Sequence, residues 1–148
     1  LKFNTKILNQ DFTKFKEIEK FDYIIIDAPC SSIGTIRKNP EILFKSKGPN
    51  FKELLIVQEK MLEKASNLLK TDGLMIYMVC SFLNSETENQ IDNFLNKHSD
   101  FKIINFDLLG KNIKYSKLIN NNFMKTLPDT ILNNNIDGYF AAYLRKIV

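Results

Sequence analysis

The chain has 148 residues, of which 44% are hydrophobic and 26% are charged, so its composition is that of one folded domain rather than of a disordered or collagen-like chain. Its 21 basic and 17 acidic residues give a net charge of +4, which permits a polyanionic partner without requiring one. No apolar run approaches the roughly 20 residues that span a bilayer, and residues 1–9 contain no signal-peptide pattern. The sequence therefore predicts a protein with no membrane segment.

The first half of the chain predicts two strands followed by a helix. Residues 5–8 are a short predicted strand, and residues 21–27 are a stronger one because their Tyr-Ile-Ile-Ile run is continuous and β-rich. Such an apolar strand is typical of a parallel sheet that is buried on both faces. Apolar residues recur at helical spacing over residues 51–69, and residues 71–73 are expected to end that helix.

The second half of the chain predicts three further strands and one helix. Strands are expected over residues 74–79, 102–106 and 138–146, and Asn84 or Ser85 is expected to cap the intervening helix. Strands that alternate with helices indicate an α/β fold with a parallel sheet. In such sheets, ligands bind beyond the carboxyl ends of the strands.

Two cysteines follow the ends of neighbouring predicted strands. Cys30 comes shortly after the strand that ends at Asp27, and Cys80 comes directly after residues 74–79. A right-handed helical crossover would bring these strand ends to about 5 Å from each other, so that both thiols face one crevice. A thiol in such a place can be a nucleophile, but a cysteine at a strand end is also a common core residue. Without a secretory signal, both thiols are expected to be reduced in the cytoplasm.

Other catalytic patterns are weak in this sequence. The single histidine, His98, is expected to be a solvated residue near the end of a helix, and no Cys-x-x-Cys pair is present. The sequence therefore predicts no metal site and gives little support to a cysteine hydrolase. It also contains no glycine-rich loop that would cradle a phosphate.

Four segments resemble motifs of the RsmB/Sun (Nop-type) RNA cytosine-carbon-5 methyltransferases. Residues 21–41, with Asp-Ala-Pro-Cys followed by the basic extension Ile-Arg-Lys-Asn-Pro-Glu, resemble motif IV of that family. Residues 77–81, Tyr-Met-Val-Cys-Ser, followed by Glu86, resemble motif VI. The Leu-Pro pair at residues 127–128 and the Asp-Gly-Tyr-Phe segment at residues 137–146 are similar to the closing segments of the family.

The resemblance implies a Rossmann-like class I S-adenosylmethionine-dependent methyltransferase fold with strand order 3-2-1-4-5-7-6. Residues 1–148 would be a partial catalytic domain, truncated at the N-terminus, with strand 3 and strands 4 to 7 but with strands 1 and 2 missing. The strand at residues 21–27 would then have an unpaired edge. The family's glycine-rich cofactor loop would precede Leu1, so we predict that this chain alone binds cofactor poorly and does not catalyse.

The implied enzyme transfers a methyl group from S-adenosylmethionine to carbon 5 of a cytosine in RNA, with small-subunit ribosomal RNA as the expected substrate. Carbon 5 needs activation, which a thiolate provides by adding to carbon 6. In the RNA family the equivalent of Cys80 attacks and the equivalent of Cys30 assists breakdown of the adduct, whereas the DNA enzymes attack with their Pro-Cys cysteine. Asp27 and Asp11 carry over as cofactor contacts, and a plain turn role for Asp11 stays open.

Four basic residues are candidates for RNA binding near the catalytic mouth, and their alternative is a solvated loop: Arg37, Lys38, Lys45 and Lys47. The target base would have to be flipped or splayed from folded RNA. A non-catalytic RNA-binding relative of the same fold is the alternative to an enzyme.

Overall fold

The computed structural model describes residues 5–16, 19–44, 50–105, 119–120, 122–128 and 136–148. The helices are α1 (Phe51–Leu68) and α2 (Glu88–Lys97). The strands are β1 (Phe21–Asp27), β2 (Leu69–Val79), β3 (Phe101–Ile103), β4 (Ile119–Asn120), β5 (Phe123–Lys125) and β6 (Phe140–Lys146). Three short 3-10 helices precede α1, at Phe12–Lys14, Ile33–Thr35 and Pro40–Phe44. Within the described ranges, no helix is both long and apolar enough to cross a membrane.

The strands form one sheet in the order β1-β2-β6-β5-β4, and β3 pairs with the same edge of β6 as β5 does. β1 and β2 are parallel and are connected through α1, whereas β6 runs antiparallel to β2. β1, β2, β6 and β3 thus occupy the places expected for strands 4, 5, 7 and 6 of the methyltransferase order. The predicted α/β methyltransferase fold is confirmed.

Both helices cover one face of the sheet and form a core with it. Ile26 of β1 and Met75 and Tyr77 of β2 are almost fully buried, in one cluster with Leu62 of α1 and Ile91 of α2. Burial of each such side chain contributes roughly 1.5 to 3 kcal/mol. This packing fixes α1 as the crossover between β1 and β2, so the carboxyl ends of the two strands lie side by side.

The opposite face of β1 carries apolar side chains that the described residues leave exposed. Tyr23 is 74% exposed and Ile25 is 65% exposed, whereas the neighbouring Ile26 is 2% exposed. Among the described strands, β1 pairs with β2 alone, so its other edge has no ladder of hydrogen bonds in this part of the chain. We call Tyr23 and Ile25 the outer face of β1.

The strand predicted at residues 5–8 does not form. Residues 5–10 have no regular structure and are exposed, including Ile7 at 88%. A strand without a partner has nothing to satisfy its backbone hydrogen bonds, and no described strand pairs with this segment. The prediction of a strand here is therefore wrong for the chain as it folds in this structure.

Two predicted helix boundaries are also wrong. β2 begins directly after α1, so residues 71–73 lie inside the strand rather than in a helix stop. Asp72 has a φ of 62°, and the pairing of β1 with β2 shifts register in this region, which accommodates the extra residues as a bulge. α2 begins at Glu88 rather than beside Asn84 or Ser85, because a turn precedes it.

Candidate active site

Cys30 and Cys80 lie against each other beyond the carboxyl ends of β1 and β2. Their sulfur atoms are 3.3 Å apart, both thiols are free, and both side chains are half-buried. The parallel pairing of β1 with β2 continues past Asp27, where the Ala28 N–H donates to the Met78 carbonyl at 3.0 Å. The predicted proximity of the two thiols is therefore confirmed.

Backbone hydrogen bonds join the loop of Cys30 to the segment of Cys80. The Gly34 N–H donates to the Cys80 carbonyl at 3.0 Å, and the Gly138 N–H donates to the Gly34 carbonyl at 2.7 Å. A Cβ atom at Gly34 would lie 1.9 Å from the Gly138 oxygen, so only glycine permits this approach. We call these four residues, Cys30, Gly34, Cys80 and Gly138, the thiol seam.

A buried carboxylate connects the same two segments through side chains. Glu86 is fully buried, and its Oε1 accepts hydrogen bonds from the Ser31 N–H at 2.8 Å and from Nε2 of Gln58 at 3.1 Å. Its Oε2 accepts from the Ser31 hydroxyl at 2.5 Å. Nε2 of Gln58 also donates to the Pro29 carbonyl at 3.0 Å. The residues on both sides of Cys30 are therefore held by one hydrogen-bond network.

The two thiols differ in their surroundings. Burial raises the pKa of the Cys30 thiol to about 12, and its hydrogen bond with Cys80 and the charge of Glu86 act in the same direction. Because the thiolate is the nucleophilic form, these surroundings disfavour attack by Cys30. The Cys80 thiol donates to the Ser32 hydroxyl at 3.4 Å, and Ser32 has a φ of 58°, a left-handed conformation that is strained for a residue with a side chain.

A cavity of about 640 Å³ opens beside Cys30. It lies between the loop that follows β1 and the start of α1, and its lining includes Cys30, Ser31, Ser32, Asn39, Glu41 and Phe51. The volume falls within the roughly 300 to 1,000 Å³ of small-molecule sites. Cys30 is therefore half-buried but open to a small ligand, whereas Cys80 does not line this cavity, so the prediction that both thiols face one crevice stays a prediction.

The two predicted cofactor contacts lie on the surface. Asp27 is the exposed last residue of β1. Asp11 caps the 3-10 helix Phe12–Lys14, where its carboxylate accepts from the N–H and the hydroxyl of Thr13 at 2.9 and 2.8 Å. The hydrogen bonds from Thr13 lower the pKa of Asp11. Asp11 thus has a structural role in its turn, and the cofactor roles of both carboxylates stay predictions.

Two of the four predicted RNA-binding residues pair with a buried carboxylate. The Asp137 side chain is 3% exposed, and its oxygens lie 2.6 Å from Nζ of Lys38 and 3.2 Å from the Arg37 guanidinium. The hydrogen bond from Lys38, together with both positive charges, holds the pKa of Asp137 below its usual value. Lys38 is still 61% exposed. Lys45 and Lys47 lie outside the described residues.

Sequence patterns alone assign no role to Glu86, Gln58, Gly34 or Asp137. The partners of the two carboxylates lie 55 and 100 residues away along the chain, and such long-range contacts leave no local spacing. Gln58 did carry a signal, because it stands four residues before Leu62 on the buried stripe of α1. A polar residue on such a stripe indicates a specific hydrogen-bond partner.

A family profile and two curated relatives match this chain. The profile is described as 16S rRNA methyltransferase RsmB/F and matches residues 1–145. Ribosomal RNA small subunit methyltransferase B of Photorhabdus laumondii is 35% identical over 133 residues, which cover 88% of this chain and 27% of that protein. The probable ribosomal RNA small subunit methyltransferase B of Synechocystis is 28% identical over 129 residues, which cover 87% and 28%. The chain thus spans about a quarter of the length of these relatives.

Two solved structures resemble the fold. The crystal structure of PH0851 superposes with a TM-score of 0.79 at 33% sequence identity, covering 95% of this chain and 31% of that one. NSun6 from Pyrococcus horikoshii with SFG, an analogue of S-adenosylmethionine, superposes with a TM-score of 0.74 at 21% identity, covering 97% and 35%. At 21% identity, the second similarity shows the fold alone.

Proposed function

The chain belongs to the 16S rRNA methyltransferase RsmB/F family, and from that membership we propose that it is part of the catalytic domain of a cytoplasmic enzyme that methylates carbon 5 of a cytosine in small-subunit ribosomal RNA. Members of this family use S-adenosylmethionine. Because the chain spans only part of its relatives, we assign the whole reaction to a longer protein that contains it. The observation that carries the proposal is the 3.3 Å approach of Cys30 and Cys80.

The proposed reaction begins at Cys80. Its thiolate forms a bond to carbon 6 of the cytosine and pushes an electron pair onto carbon 5, which then accepts a methyl group. S-adenosylmethionine supplies that methyl group when it is bound. We take Cys80 as the attacking thiol because residues 77–81 resemble motif VI, whose cysteine attacks in the RNA family, and burial disfavours the thiolate form of Cys30. Since carbon 6 is shielded within a base stack, the cytosine has to be flipped or splayed out.

We propose that Cys30 assists release of the methylated base. After methyl transfer, carbon 5 loses its proton to a base, the double bond reforms, and the electron pair of the carbon–sulfur bond returns to Cys80. A Cys30 that keeps its proton can donate a hydrogen bond to the departing Cys80 sulfur, 3.3 Å away. The arrangement therefore supports one attacking thiol and one assisting thiol.

This chain would supply part of the cofactor site. The carboxylates of Asp27 and Asp11 are exposed, and carboxylates accept hydrogen bonds of the kind that hydroxyl and amino groups of the cofactor donate. The sequence has no glycine-rich loop that would complete the site. We keep Asp27 and Asp11 as proposed contacts and expect the 148-residue chain alone to bind S-adenosylmethionine poorly.

We further propose that the loop after β1 contacts RNA phosphates. Arg37 and Lys38 stand in the same loop as Cys30 and Gly34, and Lys38 is largely exposed although it pairs with Asp137. Positive charge beside the catalytic mouth is what a polyanionic substrate requires. Lys45 and Lys47 follow in the same segment of the sequence and belong to the same proposal.

RNA that carries 5-fluorocytosine tests the covalent step. Release requires loss of the proton on carbon 5, and fluorine in its place cannot be removed by a base, so the adduct persists. In a full-length protein that contains this chain, we expect Cys80→Ala to abolish the adduct seen on a denaturing gel. Cys30→Ala is the matched control: it should still form the adduct and should release ordinary RNA more slowly.

An adduct that survives Cys80→Ala would reassign the nucleophile. No adduct with the unaltered full-length protein would instead favour a non-catalytic RNA-binding relative of the same fold. The 148-residue chain by itself is expected to give no adduct and no micromolar binding of S-adenosylmethionine by isothermal titration. An adduct, or micromolar binding, with this chain alone would contradict the expected need for a longer protein.

A further inference from the structure

Glu86 has no part in the reaction described above, yet it is fully buried beside the two thiols. Removing a carboxylate from water is unfavourable unless its oxygens are hydrogen-bonded. Here both oxygens are satisfied by three hydrogen bonds, two from Ser31 and one from Gln58. Ser31 belongs to the loop of Cys30, and Gln58 of α1 also donates a hydrogen bond to the Pro29 carbonyl in that loop. The carboxylate is therefore directed at the surroundings of Cys30.

The backbone of Glu86 is anchored independently of its side chain. Its carbonyl accepts a hydrogen bond from the buried Tyr77 hydroxyl at 2.8 Å, which ties this residue to β2. The Ser81 hydroxyl, next to Cys80, lies 3.5 Å from the Ser31 hydroxyl. A movement of Glu86 would therefore move Ser31, and with it Cys30, relative to β2.

The charge of Glu86 also acts on the groups around it. Among the described residues, the titratable groups near Cys30 are Cys80 and Glu86 from the segment after β2, Tyr77 from β2 itself, and Glu41, which lines the same cavity; α1 contributes the neutral Gln58. Burial is the larger cause of the raised pKa of both Cys30 and Tyr77, and the negative charge of Glu86 raises both further. A fixed negative charge at this place opposes the thiolate form of Cys30.

We propose that Glu86 is a positioning residue for the reaction: its carboxylate holds the loop of Cys30 against Cys80, and its charge adds to the burial that keeps Cys30 as the protonated thiol that assists release. The inference rests on the proposed function, because it assigns a purpose to the difference between the two thiols. Glu86 touches neither of the two sulfurs through a hydrogen bond and acts through Ser31 and through its charge.

The charge effect can be measured without RNA. In a full-length protein with Cys80→Ser, the alkylation rate of Cys30 by iodoacetamide at pH 9 reports its thiolate fraction, with peptide mass spectrometry to identify the site. Glu86→Gln keeps the size of the side chain and removes its charge. We expect alkylation of Cys30 to be about tenfold faster than in the Cys80→Ser parent, as for a Cys30 pKa lowered by one unit. Glu86→Asp keeps the charge but shortens the side chain, so it should accelerate alkylation less.

The order of these two variants separates the explanations. If Glu86 merely packs the loop, Glu86→Asp, which leaves the larger gap, accelerates alkylation as much as Glu86→Gln or more; that order overturns the proposal. Glu88→Gln is the matched control, because Glu88 pairs with Lys125 and not with the loop of Cys30, and it should leave the rate unchanged.

Release of product tests the positioning. Ser31→Ala removes one of the two hydrogen bonds between Ser31 and Glu86 with a small change of volume, so it provides a test even if the Glu86 variants do not fold. With Cys80 intact, we expect normal adduct formation and a several-fold slower release of methylated RNA; an unchanged release rate refutes the positioning role. If the unaltered protein forms no adduct, the proposed function fails, while the alkylation order still decides the effect of Glu86 on Cys30.

Discussion

The thiol seam and the outer face of β1 are built in opposite ways. In the seam, backbone groups approach so closely that Gly34 admits no side chain, and the buried Glu86 ties the two thiol-bearing segments together. On the outer face, Tyr23 and Ile25 are largely exposed beside a cavity of about 400 Å³. The position of the two thiols is thus set by contacts within this chain, whereas the outer face of β1 has apolar surface that the described residues do not cover.

The largest expected effect belongs to the seam. Gly34→Ala places a Cβ atom 1.9 Å from the Gly138 oxygen, and backbone on both sides has to shift, so we expect a loss of about 4 kcal/mol in the free energy of unfolding. Chemical denaturation and the yield of trapped RNA adduct measure the loss in a full-length protein. Asn39→Ala, an exposed change in the same loop, should have little effect on the free energy of unfolding. Equal stability of the two variants would show that the seam tolerates a side chain.

Adjacent isoleucines of β1 test the contrast between core and outer face. Ile26→Ala should cost about 3 kcal/mol in the free energy of unfolding, because it opens a cavity in the core. Ile25→Ala should change it by less than about 0.5 kcal/mol in the 148-residue chain, since Ile25 is exposed there. Urea denaturation distinguishes the two, and similar losses would contradict the packing described here. A larger cost of Ile25→Ala in a full-length protein would show that another segment covers this face.

The smallest expected effect concerns the ion pairs of Asp137. The hydrogen bond from Lys38 and the nearby charges lower the pKa of Asp137 in the folded state. The ion pairs therefore stabilise the protein at pH values above the ordinary aspartate pKa of 3.8. This stabilisation is lost as the pH falls through the lower folded pKa. Asp137→Asn should therefore flatten the acid side of the pH–stability curve, measured by thermal melting, and an unaltered curve would contradict the pairing.

The same Asp137→Asn variant probes the loop after β1 as an RNA contact. Without the carboxylate, Arg37 and Lys38 are free to bind phosphates, and each added contact steepens the logarithmic salt dependence of RNA affinity by about 0.7 to 0.9. Filter binding at several salt concentrations measures the slope in a full-length protein. Glu88→Gln, which frees Lys125 elsewhere, serves as the control. An unchanged slope removes the proposed phosphate role of Arg37 and Lys38.

The central strands and the two main helices could be predicted from the sequence because each has a strong local period. β1 was predicted with its observed bounds, and α1 ends one residue before the predicted end. The strand at residues 5–8 was not predictable from its apolar alternation, because a strand forms only where a neighbour accepts its hydrogen bonds. The start of α2 was missed because the polar residues before it form a turn.

The proximity of the two thiols could be predicted from the sequence, but the residues that hold them in place could not. Cys30 and Cys80 follow two strand ends that a helical crossover brings together, so their proximity followed from topology. The carboxylates Glu86 and Asp137 bind partners far along the chain, and no local pattern reports such contacts. His98 shows the same limit: it was expected to be solvated, but its ring stacks on Phe94 and bonds with Glu63 of α1.

The position of β6 has a consequence for the stability of the site. Residues 140–146 form this strand, which lies inside the sheet between β2 on one edge and β3 and β5 on the other. Gly138, two residues before β6, donates to the Gly34 carbonyl in the loop of Cys30. A change that weakened β6 would therefore uncover the edge of β2 and release the contact between Gly138 and Gly34, although β1 and β2 would stay paired.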